Sequence, residues 1–444
     1  MNVRQLPRDP GPAGWNCLLP DPGPALRLEG VHSADWLVIG AGFAGLSAAR
    51  RLSQLCPGDR ISILEATRVG EGPAGRNSGF MVDLPHHLTS ENYAGGLSSD
   101  RTTIEDNRRA IDFAADMAEQ FEMSAEAFSR CGKINASASA RGDAQNQAYA
   151  KHLAQLDEPF EHLDATQMRA LTGSSYYSSG LLSPGAAIIQ PAIYVRSVAS
   201  GLVREGVTIY ENSPVLKLHK KGSHWFAQTP LGHVSSPKVI LAVNGHVNSF
   251  GFLRGRLCHI FTYASMTCAM TDDQITRLGG EALWGVTPAD PLGTSVRRIS
   301  GTGGDRIVIR NQFTFDPAME VSDARVASAG RRHDKAFRAR FPILRDLAME
   351  FRWGGRLCMS LNNVQAIREW EDGLFVACVQ NGIGTVRGTL AGLLAAELAV
   401  GQTSDALYRA LDHDKPKRLP PAPFAKLGAS LRIKFGEWRA GSDL

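Results

Sequence analysis

The chain has 444 residues, of which 43% are hydrophobic and 21% charged, a composition typical of a globular protein large enough for two domains. Its net charge is only +4, without a basic stripe interleaved with aromatic residues, and its seven cysteines include no Cys-x-x-Cys pair, so we expect no nucleic-acid partner, disulfide framework or metal. No window approaches the roughly 18 unbroken apolar residues of a membrane helix, and the N-terminus lacks the apolar core of a signal peptide, so we expect a cytoplasmic protein without a membrane partner.

The first 33 residues contain prolines at positions 7, 10, 12, 20, 22 and 24. Terminal segments punctuated in this way are usually surface coil. We therefore predict an extended N-terminal arm, residues 1–33, that lies on the surface of the protein.

A strand-turn-helix-strand unit occupies residues 35–65. Apolar residues 36–39 predict a buried strand, and a helix opens at a turn containing Gly40, Gly42 and Gly45. In a dinucleotide-binding turn the first glycine permits a tight bend, the second admits a pyrophosphate at the positive end of the helix dipole, and the third lets helix and strand pack closely. The strand at 61–64 ends at Glu65, 20 residues after Gly45, where a carboxylate can accept hydrogen bonds from a ribose. This order predicts dinucleotide binding.

Residues 66–80 are rich in glycine and carry an arginine and small hydroxyl or amide side chains. Such a loop can wrap a phosphate-bearing cofactor with backbone N–H groups, although an ordinary surface loop has a similar composition. Its position directly after the ribose acid favours the cofactor.

Hydrophobic periodicity and turn residues predict the elements that follow. The predicted helices are 102–123, 145–156, 191–204 and 331–341, and the predicted strands are 207–210, the meander 215–218, 225–227 and 238–243, and the longer strands 260–270 and 307–315. A last strand at 374–379, a glycine turn at 380–384 and an apolar helix at 385–400 supply another helix N-terminus for a negatively charged group. In the basic tail, 401–444, a short apolar face favours packing on the domain or in a subunit contact over a membrane-surface segment.

Six short segments, in chain order, resemble the FAD-dependent amine and amino-acid oxidoreductases of the D-amino-acid oxidase, glycine oxidase and sarcosine oxidase superfamily, and most closely its gamma-glutamylputrescine oxidoreductase-like branch. These segments are 40–46, 65–66, 75–80, 241–245, 353–355 and 381–384. Together with the patterns above, the resemblance predicts an α/β protein. It would combine a Rossmann-like FAD-binding domain, with a parallel sheet and a small antiparallel meander, and an α+β substrate domain with an antiparallel sheet. The FAD-binding segments would be 34–90, 191–256 and 352–400, and the substrate segments 91–190 and 257–351.

The resemblance implies FAD as the cofactor and assigns its contacts. Glu65 would hold the adenosine ribose, the first glycine turn the pyrophosphate, and Val215 would lie near the adenine. The loop 76–79 would pass beside the isoalloxazine, and the turn 381–384 would present N–H groups to its pyrimidine end, which gains negative charge on reduction. The full predicted set is Gly40, Gly42, Phe43, Ala44, Gly45, Glu65, Ala66, Gly75, Arg76, Asn77, Ser78, Gly79, Val215, Gly245, Cys358, Asn381, Gly382, Ile383 and Gly384.

Cys358 occupies the place where sarcosine oxidases carry the cysteine linked covalently to the flavin, whereas putrescine-type relatives have no cysteine there. Cysteine is also among the most commonly buried residues. Covalent FAD through Cys358 and dissociable FAD with Cys358 as a packing residue both remain open.

The resemblance implies oxidation of an amine or amino acid at a C–N bond. The neutral amine would deliver hydride to flavin N5, the resulting imine would hydrolyse, and oxygen or another acceptor would reoxidise the flavin. We assign no catalytic residue, because the protein's task would be positioning and charge complementarity. Of the arginines at 297, 298 and 310, at most one should clamp a carboxylate. The predicted substrate contacts are Arg310, Tyr263 and His259.

Three alternatives remain at this point. The first is a dehydrogenase that feeds a quinone, and the second is a flavin-binding subunit of a hetero-oligomeric complex. The third, NAD-only binding, fits the first 65 residues but leaves residues 76–80 and 381–384 unexplained. The sequence leaves the oligomeric state open.

Overall fold

The structure is a computed structural model that describes residues 1–87, 90 and 93–444. Its helices in chain order are Gly14–Cys17 (α1), Phe43–Leu55 (α2), Leu97–Gln120 (α3), Ala140–Gln155 (α4), Ala165–Thr172 (α5), Pro191–Arg204 (α6), Asp272–Leu278 (α7), Asp323–Arg340 (α8), Gly384–Val400 (α9), Asp405–Asp412 (α10) and Ala422–Ala440 (α11). The predicted domain boundary at 90–91 adjoins residues outside this description.

The strands in chain order are Gly30–Ser33 (β1), Trp36–Ile39 (β2), Ile61–Leu64 (β3), Phe80–Met81 (β4), Phe128–Ser129 (β5), Lys133–Ser137 (β6), Glu161–Asp164 (β7), Ser179–Ser183 (β8), Ala187–Ile189 (β9), Thr208–Tyr210 (β10), Lys217–Lys221 (β11), His224–Gln228 (β12), Gly232–Ser236 (β13), Lys238–Leu241 (β14), Leu257–Thr267 (β15), Trp284–Pro288 (β16), Ser295–Ile299 (β17), Arg306–Phe315 (β18), Met349–Ser360 (β19), Ala366–Glu371 (β20) and Leu374–Cys378 (β21).

A six-stranded sheet with the order β10-β3-β2-β14-β21-β20 carries the glycine turns. Its strands are parallel except for the edge pair β20–β21. All residues of β2, β3 and β21 are buried, which explains their unbroken apolar runs, since parallel sheets are covered on both faces. Helices α2 and α9 contribute to the core on one face, and the meander β11–β13 contributes to the core on the other.

An eight-stranded sheet with the order β19-β15-β18-β17-β16-β6-β8-β7 forms the second layer. Apart from the parallel pair β16–β6, its strands are antiparallel. The predicted fold class, a parallel sheet with a small meander and a second, antiparallel sheet, is confirmed. Strand β19 pairs with β15 along its length, so residues 352–360 lie in this sheet. The segment boundaries stay predictions.

The N-terminal arm differs from the predicted surface coil. Strand β1 joins the meander as a parallel partner of β13, and α1 places Trp15 in the interior with 0% of its surface exposed. The indole N–H of Trp15 donates to the carbonyl oxygen of Asn77 at 2.9 Å. The prolines prevent regular structure only at their own positions. Helix α1 lies between two of them, and the large apolar surface of Trp15 favours its burial.

Candidate active site

One cleft runs from the glycine turn after β2 to the face of the eight-stranded sheet. Among the residues that the structure describes, the predicted contacts that line it are Gly40, Gly42, Phe43, Ala44, Glu65, Ala66, Arg76, Asn77, Ser78, Val215, Gly245, His259, Tyr263, Arg310, Cys358, Gly382, Ile383 and Gly384. Four predicted contacts, Gly45, Gly75, Gly79 and Asn381, do not line it. A Cβ at Gly45, Gly75 or Gly79 would lie 2.2 Å or less from a neighbouring atom, so these glycines permit close packing next to the lining residues.

The first glycine turn has the geometry that its spacing predicts. Gly40 has φ +103°, and a Cβ there would lie 2.7 Å from the carbonyl oxygen of Ala242. A Cβ at Gly45 would lie 1.7 Å from the carbonyl oxygen of Gly40, so only glycine permits this close approach. Gly42 is the N-cap of α2 and lines the cleft, and a Cβ built there would meet only the Ala74 Cβ at an ordinary contact distance of 3.6 Å. The helix N-terminus is therefore accessible to a pyrophosphate.

Glu65 directly follows β3 and lies beside this turn. One carboxylate oxygen accepts from the Ala41 N–H at 2.8 Å, and the other accepts from the Thr67 N–H at 3.0 Å and its hydroxyl at 3.3 Å. A carboxylate has about four lone-pair sites, so acceptor capacity remains for a ribose hydroxyl. Desolvation raises the pKa of Glu65, and the backbone N–H groups partly oppose that rise. The remaining acceptor capacity of Glu65 and the accessible N-terminus of α2 both fit a dinucleotide.

Hydrogen bonds of two of its own side chains hold the loop after Glu65 in place. The guanidinium of Arg76 donates to the carbonyl oxygens of Pro10, Gly11 and Glu71 at 3.0, 2.6 and 2.6 Å, so its side chain fixes the loop to the arm. The Asn77 side chain accepts from the Gly79 N–H at 2.8 Å and donates to the carbonyl oxygen of Ala74 at 2.7 Å. The loop is thus preorganised by its own polar side chains.

The second glycine turn leads into α9. Its Asn381 side chain accepts from the Ser360 N–H at 2.8 Å and donates to the carbonyl oxygen of Val379 at 3.2 Å. Asn381 therefore braces the turn against β19, while Gly382 and Gly384 line the cleft. The N-terminus of α9 consequently opens into the cleft, where its dipole favours negative charge.

Cys358 lies on β19 directly opposite His259 on β15. The thiol packs in an apolar cluster whose members include Val247, Val376 and Cys378. Burial raises the pKa of the Cys358 thiol, which disfavours the thiolate that acts as a nucleophile. His259 contacts Asn248 through Nε2 at 2.9 Å, and desolvation lowers its pKa to about 4.

The three candidate arginines have different environments. Arg297 donates to the carbonyl oxygens of Ser78 and Ile189 at 3.0 and 2.7 Å, and Arg298 forms an ion pair with Asp305 at 2.9 Å. Both therefore have structural partners.

Arg310 lines the cleft and lies over the Phe313 ring at 4.7 Å. Across the described part of the chain, no carboxylate lies within 4.0 Å of its guanidinium. Desolvation lowers the pKa of Arg310 to about 10, so the group stays cationic at neutral pH. An anion in the cleft would supply the missing counter-charge.

The sequence analysis missed several cleft residues near Arg310. The His86 ring stacks on Tyr93 with centroids 4.2 Å apart, and the Tyr93 hydroxyl donates to the carbonyl oxygen of Pro288 at 2.8 Å. The predicted contact Tyr263 also lines this part of the cleft. Its hydroxyl hydrogen-bonds Thr314 at 2.6 Å, and desolvation raises its pKa to about 12. The segment around His86 has no periodicity or motif, so no local signal marks it.

Comparison with known proteins identifies the family. The model of the family described as FAD dependent oxidoreductase matches residues 35–398. The chain belongs to this family. Probable oxidoreductase OrdL of Rhizobium meliloti (strain 1021) is 24% identical to this oxidoreductase over 428 residues, which cover 94% of each chain. Gamma-glutamylputrescine oxidoreductase of Escherichia coli (strain K12) is also 24% identical, over 91% of this chain and 94% of that protein.

A solved structure has the same fold. Glycine oxidase from Geobacillus kaustophilus superposes on this oxidoreductase with a TM-score of 0.68 at 17% identity, over 84% of this chain and 96% of that chain. The predicted family, the enzyme class and FAD as cofactor are thereby confirmed, and the NAD-only alternative is excluded. In the residues described, no helix is long and apolar enough to cross a membrane. The cytoplasmic location stays a prediction.

Proposed function

We propose that this enzyme oxidises an amine that also carries a carboxylate, at the C–N bond of the amine. The observation that carries the proposal is Arg310, a desolvated guanidinium that lines the cleft without a carboxylate partner among the described residues. A partly buried cation without a counter-ion is costly, and a planar guanidinium binds a carboxylate through two parallel hydrogen bonds. Relatives named as glycine oxidase and gamma-glutamylputrescine oxidoreductase support the amine class.

FAD, when bound, would supply the hydride acceptor for oxidation at the carbon beside the amine nitrogen. Arg310 would fix the carboxylate and so orient that carbon. The N-terminus of α9 would complement negative charge at the cofactor, as helix N-termini do. Because desolvation holds the pKa of His259 at about 4 and that of His86 well below its usual value, neither imidazole is a strong base, and the amine must react in its neutral form.

The test compares amino acids with amines of the same carbon skeleton that lack the carboxylate. Under anaerobic mixing with the FAD-loaded enzyme, a substrate bleaches the visible absorbance of the flavin. We expect Arg310→Met to lower kcat/KM for the carboxylate substrate by about 10- to 100-fold, since a hydrogen bond to a charged group contributes about 1.5–3 kcal/mol. Arg60→Met, at an exposed surface ion pair, is the control and should leave the rate unchanged.

An equal loss for amines with and without a carboxylate would contradict the assignment of Arg310. A broad set of amines, none of which bleaches the flavin, would instead favour a flavin-binding subunit of a larger complex. The acceptor is tested separately with an oxygen electrode during turnover. Oxygen uptake with peroxide formation supports an oxidase, and its absence supports a dehydrogenase that passes electrons to another acceptor such as a quinone.

A further inference from the structure

The outward face of α11 carries a stripe of large apolar side chains. Its members, which we call the α11 stripe, are Phe424, Leu427, Leu431, Phe435 and Trp438, each between 56% and 76% exposed. Their spacing of three or four residues places them on one side of the helix. An exposed apolar patch on a folded domain usually marks an interaction site.

The opposite face of α11 attaches the helix to the domain. Small residues, among them Ala429 and Gly436, lie on this less exposed side, and a Cβ at Gly436 would lie 2.1 Å from the Leu292 side chain. The Glu437 carboxylate accepts from the Phe313 N–H at 3.2 Å. An ordinary surface helix buries its large apolar side chains and exposes polar ones. Helix α11 instead exposes five large apolar side chains next to its exposed cations, so the stripe does not stabilise the domain that carries it.

The charges around the stripe are almost all positive. Lys426, Arg432 and Lys434 are exposed on α11, and the segment before it exposes further cations at 415, 417 and 418. Between residues 415 and 440 the only acid is Glu437, whose side chain is 11% exposed and lies 3.7 Å from Arg332. The surface around the stripe is therefore cationic.

Contrary to the packed tail and the absence of a membrane partner that the sequence predicts, we propose that the α11 stripe docks the enzyme on an anionic lipid surface. Apolar side chains flanked by lysine and arginine are the combination by which a helix lies in the plane of a membrane interface, with the apolar groups at the acyl boundary and the cations on lipid phosphates. The exposed Trp438 suits the interface, where indole rings concentrate. This attachment needs no membrane-crossing helix and is independent of the proposed substrate.

A second copy of the chain fits the stripe less well. In a symmetric dimer the same patch meets itself, so the cations of one helix would face those of the other across a desolvated contact. Such like-charge contacts are repulsive, whereas lipid phosphates neutralise them. The charge pattern therefore selects the lipid surface.

The experiment measures co-sedimentation of the full-length, FAD-loaded enzyme with vesicles of phosphatidylcholine alone or mixed with phosphatidylglycerol. We expect binding to the mixed vesicles that weakens with added salt, because the electrostatic contribution is screened. Leu431→Ser with Phe435→Ser should weaken binding about tenfold or more through lost apolar burial, and Lys426→Glu with Lys434→Glu should do the same through lost attraction to the anionic lipid.

Leu231→Ser is the matched control, because Leu231 is 55% exposed in the turn between β12 and β13, outside α11, and its replacement should leave vesicle binding unchanged. The flavin spectrum of each variant verifies that it is folded. Absence of binding to mixed vesicles would overturn the proposal, as would binding that the stripe variants leave unchanged. A concentration-dependent dimer that Leu431→Ser abolishes, without vesicle binding, would assign the stripe to a second copy.

Discussion

Glu65 and Cys358 both line the cleft, but desolvation has different consequences at the two residues. At Glu65 it raises the pKa of the carboxyl, while a ribose hydroxyl donates best to the ionised form. FAD binding should therefore release a proton and be favoured by a pH above that raised pKa. At Cys358 desolvation also raises the pKa, but here the neutral form suits a packing role and disfavours bond formation.

Replacing Glu65 should weaken FAD binding. Glu65→Gln keeps the shape of the side chain but removes the charge and one acceptor oxygen, and we expect the dissociation constant of FAD to rise about 10- to 100-fold. In the wild type the affinity should fall as the pH drops through the raised pKa of Glu65, because the complex binds fewer protons than the apoprotein. Fluorescence titration of apoprotein with FAD at several pH values measures both effects. An unchanged affinity in the variant would contradict ribose binding by Glu65.

Cys358 should not be linked to FAD. Its thiol lies in an apolar cluster, and the raised pKa leaves little thiolate at neutral pH. After acid precipitation of the holoenzyme, we expect the yellow colour in the supernatant, and we expect Cys358→Ala to retain FAD. Colour that stays in the wild-type pellet and moves to the supernatant in Cys358→Ala would establish the covalent link instead.

The N-terminal arm forms part of the wall of the cofactor cleft. The Val3 N–H donates to the carbonyl oxygen of Leu216 at 2.8 Å, which attaches the arm next to Val215. Val3, Leu6 and Pro7 line the cleft, and Asp9 forms an ion pair with Arg356 at 3.4 Å. The arm therefore runs along the cleft and restricts access to it.

Removal of residues 1–8 should speed the release of FAD. The deletion takes away the lining residues of the arm but keeps Asp9 and Trp15, so the buried part of the arm stays in place. We expect the dissociation rate of FAD to rise roughly tenfold, since changes in affinity mostly alter dissociation rates. Flavin fluorescence after dilution of the holoenzyme measures this rate. Val31→Ser, at a residue of the arm that is 75% exposed, is the control, and an equal rate in the deletion would show that the arm does not retain the cofactor.

Glycine spacing and hydrophobic periodicity predicted the cofactor-binding part of the protein better than the substrate-binding part. Residues 35–65 are contiguous, so glycine spacing and apolar runs predicted their structure. The choice among the arginines needed strand register, because Arg310 pairs with Ser295 across β17 and β18, and both line the cleft. Burial of Trp15 depends on contacts with distant residues such as Asn77. Neither long-range relation leaves a periodic pattern in the sequence.

The cleft as a whole predicts a simple pH profile. Desolvation lowers the pKa values of the three histidines: that of His86 falls well below its usual value, that of His246 to about 3 and that of His259 to about 4. Desolvation raises the pKa values of Tyr93 and Tyr263. These are the histidines and tyrosines among the described lining residues, so none should change charge between about pH 6 and pH 9. We expect kcat/KM to rise with pH as the substrate amine loses its proton, up to the pKa of Arg310 at about 10.

The profile should follow the substrate and not the protein. Two substrates whose amines have different pKa values should give curves displaced by that difference, because only the neutral amine reacts. His259→Gln should leave the position of the curve unchanged, although it lies next to the cofactor site. The opposing result is a second change of kcat/KM with pH near neutrality that all substrates share. If that change disappeared in His86→Gln or His259→Gln, it would reveal an ionising imidazole. The pH dependence would then originate in proton transfer by the protein and not in ionisation of the substrate.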